Sequence, residues 1–166
     1  MHPRIALIGL PASGKSSVGP QLAKLLAYSY ADLDQLLCEQ QACSIGQLFE
    51  QFGQSAFRSL ESALLQDYAH RDGCVVATGG GSVELESSRL LLRNAFFSVW
   101  LDVEPNTAWF RSRGSDRPLL ANGGQQAMEE LYARRLNWYR ECSRLTIQVA
   151  SKSVQQIAEE IHGCLR

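Results

Sequence analysis

Gly9-Leu10-Pro11-Ala12-Ser13-Gly14-Lys15-Ser16 matches the pattern G-x-x-x-x-G-K-[ST], the phosphate-binding P-loop, at every fixed position. The pattern needs a strand ending before it and a helix starting within it. Only then do successive backbone N–H groups turn inward around an anion, reinforced by the positive end of the helix. Both flanks comply. Arg4-Ile5-Ala6-Leu7-Ile8 reads as a short buried parallel strand, and Val18, Leu22, Leu25 and Leu26 recur at helical spacing. Pro11, Ala12, Ser13, Gly14, Lys15, Ser16 and Ser17 are therefore the candidate phosphate cradle. Lys15 would reach the β- and γ-phosphates of a nucleotide, and the Ser16 hydroxyl would ligate Mg²⁺. Pro20 removes one hydrogen bond from the helix, for which a tolerated local bend is expected.

Further strands are expected at about 28–31, 74–78, 96–101 and 145–149 from their short apolar runs. Helical segments are expected at about 34–42, 45–52, 54–71, 86–94, 105–113 and 125–141, with a last helix capped by Ser153. Ser44 and Gln47 form a capping box, Gly53 divides two helices, and Pro105 suits a first helical position. Gly114 to Gly124 is polar and lacks a period. Strands alternating with helices predict an α/β fold: a five-stranded parallel sheet in a three-layer α/β/α sandwich. Ligands of such sheets bind beyond the carboxyl ends of the strands. The P-loop, Asp32 and Asp34, and Gly79-Gly80-Gly81 all fall there.

A chain of 166 residues with 45% hydrophobic residues suits one domain spanning 1–166. A net charge of −1 provides no general attraction for nucleic acid or an anionic membrane, so bound anions must be held by locally placed arginines. No run is long enough to span a bilayer and no signal peptide stands at the start, which predicts a cytoplasmic protein. The five cysteines are scattered without a C-x-x-C pair and read as reduced thiols; the three histidines read as solvated.

Asp32 could steady the Mg²⁺ that Ser16 helps to hold. Asp34 could accept the proton of a hydroxyl acceptor, or it could simply cap the next helix; spacing leaves both open. Three glycines after a strand, Gly79, Gly80 and Gly81, suggest close approach of a small ligand. Arg58 with Glu61 at i+3 is either a surface ion pair or part of a site. Arg117 lies in the aperiodic stretch, where a cation on a closing loop could neutralise a transferring phosphoryl group. Arg134 and Arg135 read as solvated on composition alone.

Taken together, the sequence resembles the shikimate kinase family over nearly its whole length. The resemblance rests on Gly9–Ser16, Asp32-Leu33-Asp34, Ile45–Gly53, Ala56-Phe57-Arg58-Ser59-Leu60-Glu61, Ala77–Gly81, Arg117-Pro118-Leu119-Leu120 and Arg135–Tyr139. It implies the P-loop kinase fold and ATP-dependent phosphorylation of the 3-hydroxyl of shikimate in aromatic amino-acid biosynthesis, with Mg²⁺. By position it implies that Lys15 and the loop amides hold ATP and that Ser16 and Asp32 hold Mg²⁺. Asp34 would engage the acceptor hydroxyl. Gly79, Gly80 and Gly81 would line the shikimate site, and Arg58 and Arg135 would hold the carboxylate of shikimate. Ile45, Phe49, Phe57, Pro118 and Leu119 would wall the pocket, and Arg117 would act from a lid at about 114–124. Helices at about 34–71 would form the substrate-binding region, and Arg111, with Arg113 beside it, would stack on adenine. A monomer with small-molecule partners is implied. Two positions depart from the family pattern. Ala12 stands where glycine is usual, and Val149-Ala150-Ser151-Lys152-Ser153 lacks the usual Asp of the adenine-side segment. The competing expectations are a related kinase of another hydroxy acid or sugar acid, and a non-catalytic nucleotide-binding relative.

Overall fold

The computed structural model describes residues 2–113 and 123–165. Five parallel strands, β1 (Ile5–Ile8), β2 (Ser29–Asp32), β3 (Cys74–Ala77), β4 (Phe97–Asp102) and β5 (Leu145–Gln148), form one sheet in the order β2-β3-β1-β4-β5. β1 is central, and all four of its residues are fully buried, as a strand covered on both faces requires. The edge strands β2 and β5 alternate between covered and open positions.

Among the described residues seven α-helices surround the sheet: α1 (Lys15–Leu26), α2 (Leu33–Gln41), α3 (Ile45–Tyr68), α4 (Glu86–Asn94), α5 (Pro105–Ser112), α6 (Gly124–Cys142) and α7 (Val154–Cys164). The chain runs from β1 through α1 toward β2, then back across β1 to β4. Right-handed crossovers in opposite directions put α1 on one face and the other connecting helices on the opposite face. The packing agrees: α1 lies against α7, while α4 packs on α3 and α6.

Local chemistry sets the element boundaries. Ser44 and Ser153 each complete a capping box, with Gln47 and Gln156. Gly53, at φ 77°, kinks α3, so the two expected helices run together around one non-helical residue. α1 runs through Pro20 without a break. One element lacks a sequence signature, a 3₁₀ turn at Ser82–Glu84. All five cysteines are free, and among the described residues no helix is long and apolar enough to cross a membrane.

The expected sandwich is thus the observed one. Its consequence for the site is adjacency. β2, β3 and β1 are neighbours, so Asp32, Gly79-Gly80-Gly81 and the P-loop emerge side by side from their carboxyl ends.

Candidate active site

The P-loop wraps the start of α1. Gly14 occupies the N-cap with φ 100°, and Ala12 also has positive φ, 60°. The buried Lys15 folds back along the loop. Its Nζ donates to the carbonyl oxygens of Gly9 (2.9 Å) and Leu10 (2.8 Å) and to Ser13 Oγ (3.2 Å). Ala12, Ser13, Gly14, Lys15, Ser16 and Ser17 line a cavity of ≈ 380 Å³. Asp32, Asp34, Thr78 and Arg111 close other parts of its wall. Pro11 packs beneath Gly80 instead.

Ser16 Oγ donates to Asp32 Oδ2 at 2.5 Å, which joins the two expected metal ligands directly. The other oxygen of Asp32 accepts from the backbone N–H of Asp34 (3.1 Å) and Gln35 (3.2 Å). Asp32 is therefore the cap of α2, and the alternative in which Asp34 caps that helix does not hold. Asp34 sits in the first turn of α2 with its carboxylate on the cavity wall.

Asp34 also faces the glycine run. A Cβ on Gly79 would overlap the carboxylates of Glu61 and Asp34, and one on Gly81 would overlap the Arg58 guanidinium. These glycines are needed for the close approach of protein side chains, whatever ligand they also face. The Tyr139 hydroxyl donates to the Gly80 carbonyl oxygen at 2.6 Å and anchors the run to α6.

Beyond the glycines, the cations converge. Arg58 and Glu61 are 6% and 2% exposed and bond at 2.5 Å. This is a buried pair, not the surface pair that i,i+3 spacing also allows. Arg58 Nε donates to Glu84 at 3.1 Å, and Arg135 donates to Glu84 through Nε (3.0 Å) and Nη2 (2.7 Å). Arg135 is 1% exposed, which overturns its reading as a solvated residue, while the side chain of Arg134 is 54% exposed. The Phe49 and Phe57 rings pack with centres 4.5 Å apart and planes tilted by 35°, and the Arg58 guanidinium lies 5.8 and 5.4 Å from their centres.

Charge and burial compete within this cluster. Burial pushes the Glu61 carboxyl up to about 7 against the pull of Arg58, and Asp34 adds to the rise. Glu84 goes the other way. Its partial burial favours the neutral acid, but Arg135 and then Arg58 outweigh that and hold it below the usual carboxylate range. Burial pushes the Tyr139 phenol up to about 12.

At the other end of the phosphate cavity, Arg111 faces inward, whereas the guanidinium of Arg113 lies 4.6 Å from the centre of the Phe110 ring. Val149, Lys152, Val154 and Ile157 line the same cavity. Arg117, Pro118 and Leu119 lie outside the described residues. Sequence reasoning missed Glu84, in its three-residue turn, and Lys152, in the stretch that departs from the family pattern.

A P-loop on the central strand of a β2-β3-β1-β4-β5 parallel sheet, with a carboxylate beside it and paired arginines opposite, defines the class: a P-loop kinase. The family model for shikimate kinase matches residues 11–166. A shikimate kinase of Geobacter sulfurreducens is 38% identical over 98% of this chain and 90% of its own. One from Sulfurihydrogenibium is also 38% identical, over 95% and 94%. The structure of shikimate kinase from Acinetobacter baumannii in complex with shikimate superposes with a TM-score of 0.96 at 29% identity, covering 99% of this chain and 93% of that one. The chain belongs to the shikimate kinase family.

Proposed function

We propose that the protein transfers the γ-phosphoryl group of ATP to the 3-hydroxyl of shikimate, giving shikimate 3-phosphate and ADP. The observation that carries this reading is the convergence of two buried guanidiniums, Arg58 and Arg135, beside Gly80 and Gly81, with Asp34 between them and the P-loop. Planar forks grip a carboxylate with defined geometry, which a plain positive charge does not. The family relationship and the shikimate complex of the Acinetobacter baumannii relative support the same substrate.

Roles follow from chemistry and position. The amides of residues 11–17 and Lys15 hold the ATP phosphates, and Lys15 offsets charge developing on the transferred group. Asp34 orients the 3-hydroxyl and accepts its proton. Arg58 and Arg135 hold the carboxylate, Gly79, Gly80 and Gly81 line the ring site, and Phe49 and Phe57 support Arg58 from its apolar side. Arg111 lies along the base, and Arg117 acts from a lid at 114–124. Helices within 34–71 form the substrate side of one domain, 1–166.

Mg²⁺ fits the donors present. Ser16 and Asp32 offer hard oxygens, and a cation that keeps several waters and shares phosphate oxygens needs no larger protein cage. It would supply neutralisation of phosphate charge. The reading also makes the protein a cytoplasmic monomer whose partners are small molecules, without nucleic acid or membrane. Incubation with shikimate, ATP and Mg²⁺ tests it: ADP and shikimate 3-phosphate should form in equal amounts, and absence of turnover with shikimate would sink it.

A further inference from the structure

Glu84 has no role in the chemistry just described, yet it accepts five hydrogen bonds in the acid site. Oε1 accepts from Arg135 Nε and Nη2 and from Arg134 Nη2 at 3.3 Å. Oε2 accepts from Arg58 Nε and from Gln54 Nε2 at 3.3 Å. The side chain is only 14% exposed. The turn that carries it is pinned: the backbone N–H of Glu84 donates to Gly81 O at 2.9 Å. Arg89 Nη1 donates to the carbonyl oxygens of Val83 (2.8 Å) and Glu84 (3.0 Å). The carboxylate is thus built into the site and does not belong to a loose surface residue.

Its bonds are also directional. Glu84 takes the Nε side of both guanidiniums, and Glu61 takes Arg58 Nη1. Arg58 Nη2 is thereby left against Gly81, on the glycine run of the acid site. Glu84 thus sets one anion among Arg58, Arg134 and Arg135 before any substrate arrives. A ligand with one carboxylate can still use N–H groups that Glu84 does not take, whereas a phosphate or sulfate dianion meets a cluster whose positive charge Glu84 has already reduced.

We infer that Glu84 is a specificity-determining residue of the acid site, fixing which edges of Arg58 and Arg135 face the substrate while withholding the excess charge that would capture multiply charged anions. The inference rests on the reading that a substrate carboxylate binds these arginines. It commits to a trade: weaker binding of the carboxylate in exchange for exclusion of phosphate from a site next to a nucleotide.

Glu84→Gln tests it, since the amide keeps the shape and an accepting oxygen but loses the charge. The wild type and the variant are compared in steady-state turnover with shikimate and ATP, and in inhibition by inorganic phosphate against shikimate. With one anion removed a few ångströms from the ligand, the KM for shikimate should fall roughly three- to tenfold, and kcat and the KM for ATP should move much less. Phosphate should become a competitive inhibitor of shikimate at least about tenfold stronger, with the gain shrinking as salt is raised. Glu84→Leu removes the bonds as well, so phosphate inhibition should strengthen while the KM for shikimate rises. Unchanged shikimate KM and phosphate inhibition in Glu84→Gln would overturn the inference. So would a rise in both KM values with a lower Tm, which is the signature of a mere brace. A wild type that turns over shikimate normally in the same experiment assigns that failure to Glu84 alone. A wild type inactive toward shikimate would remove the functional reading and this inference with it.

Discussion

The Tyr139 hydroxyl and the Gly80 carbonyl oxygen meet at 2.6 Å, fully buried, across 59 positions of chain. Arg135 lies one helical turn before Tyr139, so this bond sets the glycine loop and an acid-site arginine relative to each other. The ring is held independently by stacking on Trp100 at 5.7 Å. Tyr139→Phe therefore keeps the packing and leaves one buried carbonyl unsatisfied, a loss of about 1–3 kcal/mol. Thermal unfolding should shift down by roughly 2–8 °C. The KM for shikimate should rise more than the KM for ATP. Equal changes in both KM values would detach the bond from the acid site.

Arg58→Ala should do two separable things. It removes a fork from the acid site, so the KM for shikimate should rise on the order of a hundredfold or more while the KM for ATP stays within a few-fold. It also strands Glu61, 2% exposed, without its cation, and breaking a buried pair costs about 3–5 kcal/mol. Arg58→Ala/Glu61→Gln should recover much of that stability at pH 8 and none of the substrate binding. If the double variant is no more stable than Arg58→Ala by chemical denaturation, the two residues are not energetically coupled.

Glu61 should also leave a pH signature. Its folded carboxyl is raised from 4.5 to about 7, with Arg58, Asp34 and Arg135 as the charged groups facing it. Between those two values the folded chain holds a proton that the unfolded chain has released. The contribution of Glu61 to stability therefore falls as pH rises through that window and levels off above it. Glu61→Gln has no such titration. Its stability relative to the wild type should climb between pH 5 and pH 8 by roughly 1–3 kcal/mol. A difference that stays flat with pH would mean that Arg58 keeps Glu61 ionised throughout.

These variants draw on features that differ in how far the sequence reveals them. Strands and caps are local: a P-loop between an apolar run and a helical period, or Ser44 with Gln47, is decided within a few residues. The burial of Arg58 and Glu61 is not. An i,i+3 pair looks alike on a wet or a dry helix face, and here the dry face exists because Gly79 and Gly81 come in from β3. Arg134 and Arg135 are a similar case, since adjacent residues on a helix point about 100° apart and only packing against the Ser82–Glu84 turn decides which is enclosed. Glu84 had no period to betray it. Its role needs three arginines from two helices, an arrangement that exists only after the sheet has assembled.

Ala12 offers the last test, because the loop conformation is costly for the residue it carries. Its φ of 60° belongs to the region where a Cβ crowds the backbone, at about 1–2 kcal/mol for an alanine. Replacing Ala12 with glycine removes that strain and returns roughly 0.4–1 kcal/mol of it as chain entropy in the unfolded state. The net expectation for Ala12→Gly is a small gain, an upward shift of Tm by about 1–4 °C. The KM for ATP should hardly move, since alanine and glycine present the same backbone amide to the cradle. Ala27 and Ala42, which end α1 and α2 at φ 55° and 53°, serve as internal standards. Each is an ordinary helix terminus where glycine is favoured for the same steric reason, so Ala27→Gly and Ala42→Gly should give gains of similar size. If these two stabilise the protein while Ala12→Gly lowers Tm, steric strain does not govern position 12. The methyl group would then be making a packing contribution inside the phosphate cradle that outweighs its backbone cost.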